Sequence, residues 1–533
     1  DLQDQLGVNS VIAQLLVQRG VSNFDEAKVF FRPEINHLHD PFLMKDMDLA
    51  IQRLEFAIEK GERILVYGDY DVDGTTAVSM MYSFIKRKHP KVEYYIPDRY
   101  SEGYGISYKA IDFAEENNYT LIICLDCGIK AIKKISYATD KGIDFIICDH
   151  HRPGDEIPAA AAVLNPKQID CKYPYKELSA CGVGFKLIQA FCQKNKISFE
   201  EIMPFLDLVV VSIAADIVPM TGENRVLAYH GLQQLNTNPR LGIKKLMELS
   251  YSDKKDFNIN DVLFGLAPRI NAAGRIKHGK KAVELLVQTN ESVARNKAEK
   301  INDYNLSRRE LDQKITKEAL EMILPNNKST VVCHSEWHKG VVGIVASRLI
   351  EKYYRPTIVL TESNGSLTGS ARSVKGFDIY KAIESCSDLL DQFGGHKYAA
   401  GLTMKKGNLE EFKKKFEMIV SSTITNEMLI PEISIDSEIN ITDIDIKLYR
   451  IIQQMSPFGP GNMPPCFITK SVTDRGYGKK VGQDQSHLKL TITDLNHSIF
   501  LEGIGFKLGD KFERVKGGQL FDICYSLEEN EWN

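Results

Sequence analysis

The stretch that most restricts the fold is Ile64-Leu65-Val66-Tyr67-Gly68-Asp69-Tyr70-Asp71-Val72-Asp73-Gly74, where an apolar run enters three aspartates at alternate positions. Two threonines and a helix-period pattern from Ala77 follow. The stretch reads as a buried strand whose carboxyl end opens into a crevice, the usual ligand position in an open α/β sheet. Alternate residues of an extended chain point the same way, so Asp69, Asp71 and Asp73 are expected to crowd like charge into a small volume. Such crowding is unfavourable unless a cation neutralises it. Hard oxygen donors suit magnesium or manganese better than zinc. Taken alone, the DxDxDG pattern reads equally well as a solvated turn.

The same grammar recurs. Apolar runs at 64–67, 92–96, 121–125, 145–148 and 162–164 alternate with helix-period stretches at 77–88, 108–117 and 129–140. Strands alternating with helices imply a parallel sheet covered on both faces. Two more runs end in polar chemistry: Leu121-Ile122-Ile123-Cys124-Leu125-Asp126 and Phe145-Ile146-Ile147-Cys148-Asp149-His150-His151. Such ends share one edge of a parallel sheet, so Asp126, Asp149, His150 and His151 are expected to converge on the aspartates. Asp216 ends the apolar helical stretch 205–215, where an unpaired charge is unfavourable, and is a further candidate. Cys124 and Cys127 form a CxxC near Cys148. Cys124 lies inside the strand and a second CxxC pair is lacking, which favours structural thiols over zinc. His151 reads either as a ligand or as a histidine behind the ligands.

A chain of 533 residues holds several domains. With 43% hydrophobic and 26% charged residues it has the make-up of an ordinary globular protein. A net charge of −4 excludes a uniformly basic nucleic-acid binder but leaves room for a local basic groove. There is no signal-peptide pattern and no apolar run of membrane-spanning length. Ten dispersed cysteines point to reduced thiols and a cytoplasmic setting. The chain opens on Asp1, so an initiator region is expected to be missing.

Residues 1–60 read as a helical segment packing on the catalytic domain at 61–220. Residues 221–325 are mainly helical and contain a long helix, 291–323, which either spans two lobes or is an ordinary core helix. A second α/β region follows at 326–428, with strands at 330–333 and 357–360. It carries three small-residue stretches suited to close contact with phosphate: Trp337 to Arg348, Gly369-Ser370-Ala371-Arg372-Ser373, and Gly394-Gly395-His396-Lys397. His396 reads as a phosphate contact or a helix cap. Residues 429–533 read as all-β beyond the linker Ser456-Pro457-Phe458-Gly459-Pro460-Gly461-Asn462. Arg475, Tyr477, Lys479 and Lys480 fall in an expected loop, a platform for single strands or a solvated charge cluster. The chain stops at Glu531-Trp532-Asn533, expected to be mid-barrel with the last strand removed.

Asp149-His150-His151, together with Gly68-Asp69-Tyr70-Asp71-Val72-Asp73-Gly74, resembles the DHH phosphoesterase superfamily, and within it the bacterial RecJ branch of single-strand-specific 5′→3′ DNA exonucleases. The resemblance continues through Pro97-Asp98-Arg99, Glu102-Gly103-Tyr104-Gly105 and Pro268-Arg269-Ile270-Asn271-Ala272-Ala273-Gly274-Arg275, and covers nearly the whole chain. It implies an α/β multidomain fold: a parallel-sheet DHH domain, a long connecting helix, a second α/β DHHA1 domain and a C-terminal all-β OB-fold. It implies hydrolysis of phosphodiesters with two divalent cations, Mn2+ or Mg2+, releasing 5′-mononucleotides in DNA repair and recombination. Asp126 would bridge the metals, Asp71 with Asp69 would complete one site, and Asp73, His150 and Asp216 the other. Asp149 and His151 would orient ligands or carry protons. Arg99, Arg269, Arg275, Ser370, Arg372, Ser373 and His396 would hold substrate, although Arg269 or Arg275 reads equally as a domain-interface residue. Many relatives begin the first motif with His where Tyr67 stands, which leaves the role of Asp69 open between direct ligand and neighbour of water.

The implied partners are single-stranded DNA with a 5′ end, a single-strand-binding protein and a RecQ-type helicase, with the enzyme a monomer. Two other readings remain at this point. One is a DHH phosphodiesterase of dinucleotides or short oligonucleotides, which would need neither the long helix nor an OB-fold. The other is a non-catalytic scaffold for single-stranded DNA, which would have lost metal ligands that this chain retains.

Overall fold

The computed structural model describes residues 2–251, 254–495 and 499–530. The first sheet has β1 (Arg63–Gly68), β2 (Val92–Tyr95), β3 (Tyr119–Leu125), β4 (Asp144–Cys148) and β5 (Ala162–Leu164), all parallel, in the order β2-β1-β3-β4-β5. Between β1 and β3 the connections depart to opposite sides, which leaves a crevice beyond the carboxyl ends of those two strands. Both faces of the sheet are buried. One carries Val66, Ile123 and Ile146 into the large core with helices Val72–Lys88, Ala180–Lys194 and Leu206–Ala215; the other carries Leu65, Tyr67, Ile122 and Cys124.

The helix after β1 begins at Val72, not Ala77, because the Asp71 side chain accepts the Gly74 N–H at 3.0 Å and caps it. Asp73 therefore sits in a helical first turn. This corrects the expectation that the three aspartates share one extended strand: Asp69 is loop, Asp71 the cap and Asp73 helix.

The described residues of 222–321 are mainly helical and end in the 31-residue helix Glu291–Glu321, about 46 Å long at 1.5 Å per residue. Its first half packs in the large core through Ala294, Ala298 and Ile301, its second half in a separate core with Val345 and Leu349 through Ile315 and Ala319. It thus joins two lobes. The second lobe has β6 (Thr330–Cys333), β7 (Thr357–Ser363), β8 (Ser366–Arg372), β9 (Gln392–His396) and β10 (Ala399–Met404), in the order β6-β7-β8-β10-β9. The helix-cap reading of His396 is overturned, because His396 ends β9.

The C-terminal sheet comprises β11 (Ser437–Glu438), β12 (Phe467–Asp474), β13 (Lys479–Val481), β14 (His487–Thr493), β15 (Phe500–Gly505) and β16 (Phe521–Tyr525). Lys479 and Lys480 belong to β13 and not to a loop. The expected breaks at Asp1 and at Glu531-Trp532-Asn533 fall outside the described residues.

The N-terminal segment divides. Met47, Ala50, Ile51 and Leu54 pack against the parallel sheet as expected. Leu2, Ile12, Leu15, Leu16, Val21 and Ala27 instead share a core with Ile439, Leu448, Ile452 and Phe467 of the C-terminal domain. That corrects the expectation for the first part of residues 1–60: its apolar face is satisfied by a partner more than four hundred residues away. Arg225 clamps this junction. Its guanidinium lies 4.0 Å from the Phe30 ring centroid and donates to the carbonyls of Phe30, Met455, Ser456 and Pro457. No helix among the described residues is long and apolar enough to cross a membrane.

Candidate active site

Asp69, Asp71 and Asp73 follow β1, Asp126 follows β3, and Asp149, His150 and His151 follow β4, so all lie at the crevice where the strand order reverses. Asp216 is delivered as the C-cap of helix Leu206–Ala215. His150 is the centre of the group. Its Nε2 lies 3.4 Å from Asp126 Oδ1, 3.6 Å from Asp216 Oδ2 and 3.7 Å from Asp73 Oδ2. Two sets place donor atoms within 4.8 Å of one another: Asp73 with His150 and Asp216, and Asp126 with His150 and His151. Neither set includes Asp69 or Asp71, although both aspartates act electrostatically on Asp126.

The carboxylates are held in place from behind. Asp73 Oδ1 accepts the Cys181 N–H at 2.8 Å and the Ser212 hydroxyl at 2.7 Å, and Oδ2 accepts the Ala180 N–H at 2.8 Å. The first turn of helix Ala180–Lys194 thus meets an anion, as helix N-termini favour. Asp149 accepts from the N–H groups of Ile129, His150 and His151 and from His151 Nδ1 at 2.7 Å. Burial acts to raise its pKa, but these bonds and the charge of His151 bring it down to about 2. Burial lowers the pKa of His151, but Asp149 outweighs it and the net shift is upward. The Tyr104 hydroxyl lies 3.1 Å from His151 Nε2. Tyr67 stands on the opposite face of the sheet and donates to the Gly105 carbonyl at 2.7 Å, propping the loop that carries Tyr104.

Elsewhere the electrostatics are unresolved by the protein alone. Burial, followed by Asp71 and Asp73, pushes Asp126 well above the carboxylate range. Burial with Asp73 and Asp71 pushes Asp216 up to about 8. Both oxygens of Asp69 are buried without a hydrogen-bond partner, and so is His150 Nδ1. Asp126 also adopts a left-handed φ of 63°, a conformation uncommon for residues other than glycine. Crowded carboxylates with unpaired oxygens and an imidazole are the donor set of a hard divalent cation, so the residues present fit magnesium or manganese. Cys124 and Cys127, with sulfurs 3.3 Å apart, lie in the apolar core of the other face.

Next to the carboxylates is a group of guanidiniums. Arg99 stacks 4.1 Å from the Tyr70 ring centroid, and its Nε is buried without a partner. Arg275 is pushed down to about 10 by burial and by Arg99, Arg308 and Arg372. A Cβ on Gly274 would come within 2.6 Å of the Tyr70 carbonyl oxygen, so glycine there lets the Arg275 helix approach the aspartate loop. Arg372 donates to Ser370 Oγ at 2.8 Å. A Cβ on Gly343, in the first turn of helix Val342–Lys352, would lie 3.1 Å from Arg372 Nη2. The start of that helix and a guanidinium are thus close neighbours, a pairing suited to an anion.

Besides Arg372 and Ser370, three of the expected substrate residues bond within the protein, and one of them, Arg275, donates to the Gly340 carbonyl of the second lobe at 3.0 Å, which also fits an interface role. Arg269 donates to Asn302, Gly265 and Leu249, holding the helical region together, which is the interface alternative. The Ser373 hydroxyl donates to the Phe377 carbonyl. Arg308 and Ser212 are not foreseen by the sequence reading, and Tyr104 appears there only within a motif, without a role. Tyr104 had a signal in its flanking glycines, whereas Arg308 and Ser212 sit in helices with nothing local to mark them.

Residues 63–213 match the DHH family, N-terminal domain, residues 326–422 the DHHA1 domain, and residues 435–533 the RecJ OB domain. The chain is 38% identical over its whole length to the single-stranded-DNA-specific exonuclease RecJ of Bacillus subtilis strain 168, covering 67% of that protein. It is 32% identical to the RecJ of Salmonella typhimurium strain LT2, over 92% of this chain and 88% of the relative. The crystal structure of RecJ in complex with Mn2+ from Thermus thermophilus superposes on all of the chain and 75% of its own length, with a TM-score of 0.85 and 26% identity. The same protein in complex with Mg2+ gives 0.79 and 25%, over 100% of this chain and 74% of its own.

Proposed function

The chain belongs to the RecJ family of DHH phosphoesterases, and from that premise we propose that it removes 5′-mononucleotides from single-stranded DNA, 5′ to 3′, at the carboxylate–histidine cluster of its first lobe. The observation that carries this reading is the convergence of Asp73, Asp126, His150 and Asp216 on one point beside Arg99, Arg275 and Arg372.

In this reading Asp126, Asp73, His150 and Asp216 would hold divalent cations, with Asp71 and Asp69 as further candidate donors. When bound, the divalent cations activate the attacking water and neutralise charge on the phosphate and the leaving oxygen. The chain's own groups do the rest. Ser212 and the first turn of helix Ala180–Lys194 hold Asp73 in one orientation. Asp149 fixes the proton of His151 on Nδ1 and favours the imidazolium, which leaves Nε2 to carry a proton to the departing 3′ oxygen. Arg99, Arg275, Arg372, Ser370 and the N–H groups at Gly343 take the terminal 5′ phosphate, an anion for which guanidinium offers a matching planar fork. The C-terminal domain holds the trailing strand through Arg475 and Tyr477. A single-strand-binding protein and a RecQ-type helicase supply the strand in repair and recombination.

The test is a timed digestion of single strands labelled at the 5′ or the 3′ end, with Mn2+ or Mg2+, alongside duplex and EDTA controls. Mononucleotides are expected from the 5′ end, from single strands only and with metal only. Cleavage confined to dinucleotides, or binding without cleavage, would overturn the reading.

A further inference from the structure

The positive groups around the carboxylates form two sets that do not overlap. Arg99, Arg275, Arg308 and Arg372 gather at the Asp69–Asp71 end: Arg99 acts on Asp69, and Asp71 on Arg275. At the histidine end, burial and then Lys130, His151, Arg152 and Lys167 lower the pKa of His396, and Lys167 also acts on His150 and Asp216.

Each cation of the second set is tied to the cluster by the backbone. Lys130 follows Ile129, whose N–H donates to Asp149 at 2.9 Å. Arg152 follows His151. The Lys167 N–H donates to Asn165 Oδ1 at 2.8 Å, and Asn165 Nδ2 donates to the His151 carbonyl at 2.9 Å. A Cβ on Gly154 would lie 4.0 Å from Lys130 Cγ, so the loops bearing Lys130 and Arg152 run side by side. Lys167 pairs with Glu177 at 3.1 Å. Lys130 and Arg152 are exposed and have no carboxylate partner among the described residues. On the facing wall, Arg372 and His396 both pair with Ala399, from opposite sides. Two strand spacings, about 10 Å, therefore separate them.

We propose that Lys130, Arg152 and Lys167 form a second phosphate-binding rim, for the internal phosphodiesters on the 3′ side of the scissile bond, with His396 closing it from the other lobe. The inference rests on the function proposed above. A strand whose 5′ phosphate occupies the guanidinium group and whose scissile phosphate lies at the carboxylates must leave past the histidines. Its next phosphates lie past the cluster, where the strand's own charge favours further cations. The rim provides them, and its place opposite the guanidinium group fixes the direction in which the strand is threaded.

The test uses the full chain, wild type and the double variant K130A/R152A, on two 5′-phosphorylated single strands. One is all-phosphodiester; the other carries one methylphosphonate, a neutral linkage, at the second linkage 3′ of the first scissile bond. First-cleavage rates against strand concentration give KM. In the wild type the neutral linkage should raise KM about tenfold, the size of a lost charge-assisted contact. In the double variant, which keeps Lys167, the neutral linkage should raise KM much less than in the wild type, and the slope of log affinity against log salt should shrink by about 0.7 per cation removed. An equal methylphosphonate penalty in both proteins, or an unchanged salt slope, overturns the rim while leaving the exonuclease reading intact. A wild type that fails to degrade the unmodified strand overturns the functional reading, and the rim with it.

Discussion

Asp69 and Asp73 belong to one short motif, yet their surroundings are opposite. The oxygens of Asp73 accept three hydrogen bonds, from Ala180, Cys181 and Ser212, whereas neither oxygen of Asp69 accepts any. The protein orients one carboxylate and leaves the other without such support.

Ser212 should therefore act through Asp73. Replacing it with alanine removes a hydrogen bond to a buried carboxylate, and groups that orient metal ligands change metal affinity by roughly 10–100-fold. Ser212→Ala should weaken Mn2+ binding in a titration followed by electron paramagnetic resonance, and Ser212→Thr should restore much of it. Unchanged Mn2+ affinity in Ser212→Ala would show that the helix N–H groups suffice.

Asp126 lies among carboxylates that burial and mutual repulsion push upward. Asp126→Asn should abolish hydrolysis while leaving strand binding, measured by fluorescence anisotropy. In the metal-free protein the same change removes like-charge repulsion, so the thermal midpoint should rise. Adding Mn2+ should stabilise the wild type by mass action and the variant much less. A metal-free midpoint below that of the wild type would contradict the electrostatic account.

Arg372 is aimed at Ser370 and the first turn of helix Val342–Lys352. Arg372→Ala should raise KM for 5′-phosphorylated strands by about 10–100-fold, as loss of a charge-assisted bond of about 1.5–3 kcal/mol requires. Strands with a 5′ hydroxyl should lose far less. Equal losses on both would place Arg372 away from the terminal phosphate.

Glu62 joins the helix Met47–Lys60 to the sheet through Arg53 at 2.7 Å and the Thr120 hydroxyl at 2.6 Å. Burial acts to raise its pKa, but Thr120 and Arg53 outweigh it, so it is held below the usual 4.5. A carboxylate depressed in the folded state contributes stability that is present above the unfolded pKa and lost as pH falls through the folded one. Glu62→Gln should lower the urea midpoint at pH 7 and narrow the gap from wild type below pH 4.5. A gap that stays constant with pH would remove Glu62 from the acid sensitivity of the fold.

The parallel sheet and most of its polar edge were legible because β1, β3 and β4 are apolar runs that stop abruptly at Asp or His, a local signal. The placement of Asp73 was not, because period-two spacing cannot tell an extended chain from a helix that Asp71 caps two residues earlier. Strands β8 to β10 were hidden by Gly369, Gly394, Gly395 and Gly401, which lower strand propensity. The wider site was least legible. Arg308 and Ser212 meet it through helix faces, and which face turns inward is decided by packing that no short stretch encodes.

The core shared by the two ends of the chain, with Arg225 set across it, has a consequence for synthesis. Gln14 waits for Asp436, 422 residues downstream. At roughly 5–20 residues per second a ribosome takes on the order of 20–80 s to make that interval. Throughout it the parallel-sheet lobe can close, but Leu15 and Leu16 lack their C-terminal neighbours Ile439, Leu448, Ile452 and Phe467. A protein shortened before the C-terminal strands would keep its carboxylate cluster and still carry a permanently unfinished N-terminus. Cutting this enzyme at its last linker therefore changes its beginning as well as its end.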